Sequence, residues 1–187
     1  GKIDNYDSHV LRNVAGAAAR YLQRIGASTA GTLLHYSAQE IIPVEQAAQV
    51  IAEGTILGLY SFDQYKSKTE DDLNRTLENV SVLEQDATQY AKCIDTISRG
   101  HIIADSTCLA RDMVNQPANV MTPIEMARIA TNVAKTTGLG IEVLGPDEIA
   151  SHKMGAIQAV SAGTSNEPRL IVMDYAGNPD DPDNKIA

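Results

Sequence analysis

No stretch of the 187 residues comes near the roughly 20 uninterrupted apolar residues that a membrane-crossing helix requires. The opening residues, Gly1 to His9, are too polar to form the apolar core of a secretion signal, so a soluble protein with no membrane partner is expected. Basic clusters are missing as well. The 15 Lys and Arg are scattered singly among 24 Asp and Glu, for a formal net charge of −9, and they form no stripe that could neutralise successive phosphates. This argues against nucleic acid as a partner, and the negative surface is read as serving solubility. Cysteine is scarce. Cys93 and Cys108 stand 15 positions apart, which on one helix is about 22 Å and beyond disulfide reach. Two free thiols suit a reducing cytosol, and neither has a second cysteine at zinc-site spacing.

Reactive constellations are absent too. His9, His35, His101 and His152 have no His or Cys within one helical turn, so each is expected at the surface or in a capping role. Asp180, Asp181 and Asp183 cluster, but the interleaved proline and the missing glycine and downstream glutamate fail the calcium-loop pattern, leaving a turn. Ser161, Gly163, Thr164 and Ser165 form a small polar loop after an expected strand. Pro168 and another strand follow where a phosphate loop needs a helix, so a plain connection is favoured. There is no Gly-x-Ser-x-Gly elbow and no cysteine with a suitable His and Asn sequel. Residue chemistry alone therefore names no catalytic, substrate-binding or metal-binding residue.

What is present is helical and strand periodicity, with 43% hydrophobic residues, enough for a sizeable core. Apolar positions from Asp7 to Ile25 predict an amphipathic helix stopped by Gly26. Thr29 to Tyr36 reads as a short buried strand, and a second helix begins near Pro43. Gly54 and Gly58, one turn apart inside that helix, imply close packing against a neighbour, because glycine otherwise weakens a helix. Tyr65 to Asp72 reads as a solvated loop and Leu77 to Leu83 as a strand. Asp86 with Gln89 resembles a capping box opening a helix that Pro117 ends, either one long bent helix or two in series about Gly100. At about 30 residues it is long enough to bridge two domains.

Thr122, Pro123 and Glu125 form a helix start, and Gly138 with Leu139 a left-handed stop. A strand at Ile141 to Leu144, a short helix at Pro146 to Ser151, a small-residue strand at Ala156 to Val160 and a strand at Leu170 to Met173 buried on both faces complete an α/β layer. Asn178 to Asn184 reads as a loop, and Lys185 to Ala187 as the opening of another strand.

Three segments together resemble the leucyl (cytosol) aminopeptidase family: EGTILGLYSFDQYKSK from Glu53 to Lys68, ARDMVNQPANVMTP from Ala110 to Pro123, and MGAIQAVSAGTSNEPRLIVMDY from Met154 to Tyr175. Their order and separation also match, so the resemblance covers essentially the whole chain. It implies an α/β fold in three parts: residues 1–85 as the end of a macrodomain-like N-terminal domain, 86–117 as an interdomain linker helix, and 118–187 as the start of the catalytic domain. It implies a cytoplasmic enzyme that removes N-terminal residues from peptides with two divalent metals, zinc or manganese, and that assembles as a homo-oligomer, usually a hexamer.

The family's Gly-Lys-Gly-x-Thr-Phe-Asp-Ser-Gly-Gly, Asp-rich and Asn-Thr-Asp-Ala-Glu-Gly-Arg segments do not occur here, so no catalytic, substrate or metal residue is carried over and the chain alone is expected to be inactive. Lys185 to Ala187 resembles the strand leading to the first of them, and Lys2 and Ile3 the segment after an early strand, so truncation is expected at both ends. Asn115, Gln116, Pro117 and Asn119 are expected to shape the helix exit through turn chemistry, and Arg111 and Asp112 to form an ion pair with neighbouring segments. The alternative is a non-catalytic binding or regulatory module for a nucleotide, an ADP-ribose-like ligand or DNA.

Overall fold

A computed structural model describes residues 6–67 and 76–177, which divide into two compact units, Gly1–Asn115 and Gln116–Ala187. The first unit begins with α1 (Ser8–Arg24), capped by Asp7, whose Oδ1 accepts from the Val10 amide at 2.8 Å. Gly26 ends the helix at φ 78°, a left-handed geometry that lets the Ala27 amide reach back to the Leu22 carbonyl at 3.0 Å. Strand β1 (Thr29–Thr32) follows, then a 3-10 segment (Leu34–Ala38) and α2 (Val44–Leu59). Strand β2 (Asn79–Val82) returns parallel to β1, pairing Thr29 with Asn79 and Thr32 with Val82. The unit closes with α3 (Ala87–Asn115), a single uninterrupted helix of 29 residues.

Glycine sets the spacing of this unit. A Cβ on Gly58 would stand 2.5 Å from the Gly16 Cα, and one on Gly54 would overlap the Arg12 carbonyl, so α1 and α2 cross almost backbone to backbone. On the other side of α2, a Cβ on Gly100 of α3 would come within 2.6 Å of the Gln49 carbonyl. The close packing inferred from Gly54 and Gly58 is therefore present. Gly100 does not break α3 into two helices; it admits α2. Leu11, Ala15, Ile42, Ala47, Val50 and Ile51 form the core beneath.

The first strand is shorter and wetter than expected. Its faces alternate between exposed and half-buried, and the chain leaves it at Leu33, where the Leu34 amide turns back to Thr32 Oγ1 at 3.1 Å. A β-turn-like local hydrogen bond has displaced the ladder that Leu33 and Leu34 suggested. The expected solvated loop is described only to residue 67, and its remainder lies outside the described residues.

The second unit opens with α4 (Pro123–Thr137). Thr122 Oγ1 accepts from the Glu125 amide at 3.3 Å, and Pro123 occupies the first helical position. The Glu125 carboxylate does not return to the cap; it pairs with Arg128 at 2.6 Å one turn on. Gly138 closes the helix at φ 76°, and the Leu139 amide reaches Ala134 at 3.1 Å. Removing the cap with Thr122→Ala is expected to cost about 1 kcal/mol, read as an earlier melt of the second unit by circular dichroism.

Beyond α4 come β3 (Gly140–Leu144), α5 (Pro146–Ser151), α6 (Gly155–Ser161) and β4 (Leu170–Asp174). Strands β3 and β4 pair antiparallel, Gly140 opposite Asp174 and Leu144 opposite Leu170. Two expectations are corrected here. Ala156 to Val160 lies in helix α6, not in a strand; a short run of small apolar residues cannot separate the two by periodicity, and alanine favours the helix. Strand β4 is not buried on both faces: the consecutive residues Val172 and Met173, which point to opposite faces, are 46% and 43% exposed. The expected loop at 178–184 and strand opening at 185–187 lie outside the described residues.

Candidate functional site

The segment ARDMVN ends α3, and its side chains reach back to the end of α2. Arg111 Nη1 donates to the Leu57 carbonyl at 3.2 Å, satisfying a helix-end acceptor, and its guanidinium stands 5.3 Å from the Tyr60 ring centroid. The Tyr60 hydroxyl donates to Asp112 Oδ1 at 2.9 Å and accepts from Asn115 Nδ2 at 3.1 Å. Burial, opposed by the Asn115 bond and reinforced by the Asp112 bond, holds this phenol above its ordinary range. Arg111 thus meets a carbonyl and a ring, where an ion pair was expected, and Asp112 takes a phenol. The cluster clamps the exits of two helices together; it contains no nucleophile beside a base.

Pro117 starts the turn that follows, its carbonyl accepting from the Val120 and Met121 amides at 2.9 and 3.0 Å. The Ser161 to Ser165 loop closes on itself. The Thr164 amide donates to the Ser161 carbonyl at 3.2 Å and the Asn166 amide to Thr164 Oγ1 at 3.1 Å, so these amides are not turned toward a phosphate. Beside this loop an apolar cavity of about 460 Å3 is lined by Pro123, Ile157, Val160, Pro168 and Arg169, among others. Cys93 and Cys108 are both free thiols on α3. Burial comes first among the causes raising each thiol above its ordinary range, which makes them poor nucleophiles.

One histidine departs from expectation. His9, His101 and His152 are exposed, but His35 is 1% exposed and stacks on Tyr36 with ring centroids 4.1 Å apart. Its Nε2 lies 3.2 Å from Glu84 Oε2, while the Tyr36 hydroxyl donates to Glu84 Oε1 at 2.8 Å. The polar spacing of Leu34-His35-Tyr36 gave no cue for this, because Glu84 is 49 positions away and only the β1–β2 pairing brings it near.

The Asp86 amide and the Tyr36 hydroxyl hold the Glu84 carboxyl below its ordinary range. A depressed carboxylate adds stability above its unfolded pKa and loses it as pH falls through the lower folded value. The first unit is therefore expected to weaken as pH drops below about 4.5. Glu84→Gln should flatten that acid limb in urea titrations at successive pH values.

Among the described residues no three His, Cys, Asp or Glu side chains come together as a metal site. Asp180, Asp181 and Asp183 lie outside the described residues. No described helix is long and apolar enough to cross a membrane.

The cytosol aminopeptidase family's N-terminal domain matches residues 1–69, and its catalytic domain matches residues 108–187. A probable cytosol aminopeptidase of Alkaliphilus metalliredigens is 34% identical over 95% of this chain and 35% of that protein. One of Clostridium perfringens is 32% identical over 100% of this chain and 37% of that protein. Among solved structures, the bottromycin maturation enzyme BotP in complex with Mn superposes with a TM-score of 0.78 at 28% identity, covering 91% of this chain and 34% of that one. A tomato leucine aminopeptidase mutant gives 0.70 at 25% identity, covering 87% and 32%. The chain thus spans about a third of the length of the relatives it matches. With two domains of one family matched in order along a helix-rich α/β chain, this protein belongs to the cytosol aminopeptidase family.

Proposed function

We propose that this chain is part of a cytoplasmic metal-dependent aminopeptidase that removes N-terminal residues, leucine among the preferred ones, from peptides. In this reading residues 1–85 end the N-terminal domain, 86–117 form the interdomain helix and 118–187 begin the catalytic domain. The chain supplies interdomain and assembly structure for a homo-oligomer, a hexamer, and the two zinc or manganese ions are held by segments other than those described. The supporting observation is that the catalytic-domain match begins at residue 108, inside α3, while α3 packs along α2 of the first unit. One helix thus serves both family domains. The Arg111, Asp112 and Asn115 clamp then has a purpose: it fixes the C-terminal end of that helix to α2 before the chain continues.

The product of the complete gene should hydrolyse leucine p-nitroanilide with manganese or zinc and lose that activity to a chelator. The 187-residue chain with the same metals should not exceed the metal-only blank. An inactive complete product would refute the aminopeptidase reading, and turnover by the 187-residue chain would refute its structural role.

A further inference from the structure

We draw no further inference here: the strongest candidate, the apolar cavity of about 460 Å3 walled by Ile157 and Val160 of α6 together with Pro123 and Pro168, is an unpartnered apolar face, and nothing in the structure shows what covers it.

Discussion

Gly54→Val should lower the melting temperature of the first unit by roughly 15 °C, the largest effect expected of any single substitution here. The side chain has nowhere to go. Its Cβ would overlap the Arg12 carbonyl, and the Ala15 Cβ stands 3.1 Å away on the same side. Both obstacles belong to a helix wedged against the core by Leu11, so relief requires α1 to move off α2. Overpacking of this kind costs about 1–3 kcal/mol where side chains can shift, and more where the obstacle is backbone. Each kcal/mol is worth about 4–8 °C in a unit of this size.

Gly54→Ala is the sharper variant. Alanine improves helix propensity by about 1 kcal/mol, so an open site would gain stability. Here it should still lose. Gly155→Ala provides the contrast, since nothing lies within 4 Å of its Cβ and the substitution should be neutral or better. Calorimetry that found Gly54→Ala as stable as the parent chain would show that the two helices do not approach as described.

Arg12→Met should destabilise the same unit by about 2–3 kcal/mol, and Glu53→Gln by about 1 kcal/mol. The asymmetry follows from burial. Glu53 is 4% exposed; its Oε2 accepts from Arg12 Nε and Nη2, both at 2.7 Å, and its Oε1 accepts from Gln49 at 2.8 Å. Losing Arg12 leaves a carboxylate buried without its cation, which elsewhere costs about 3–5 kcal/mol. The Arg12 side chain is 28% exposed, so solvent screening reduces that figure. Losing the charge on Glu53 leaves an arginine that can turn toward water and an amide that still bonds Gln49. Urea denaturation with unchanged m-values would measure both losses. Equal losses would mean that attraction between the charges, not desolvation, dominates.

Local chemistry was sufficient for most helices. Asp7 and Gly26 bound α1, Pro43 precedes α2, and Thr122, Pro123 and Gly138 frame α4, because caps and left-handed stops act within a few residues. It failed at Ala156 to Val160 and at Leu33 to Tyr36, where a run of five to eight residues fits either periodicity and only the neighbours choose. The clamp at the end of α3 was half legible. Its residue types pointed to a helix exit held by hydrogen bonds, but the partner Tyr60 lies 52 and 55 positions from Asp112 and Asn115.

By itself the sequence determined the family, through motifs whose order and spacing survive in text, and it determined the glycines on which close helix packing depends. Only the tertiary structure decided what each glycine and charge faces: Gly100 against Gln49, Glu53 against Arg12, and His35 against Glu84. A cap or a turn is a contact between near neighbours, so its chemistry can be read along the chain. A buried carboxylate or a buried imidazole is defined by partners 41 and 49 positions away, and burial exists only once the chain has folded.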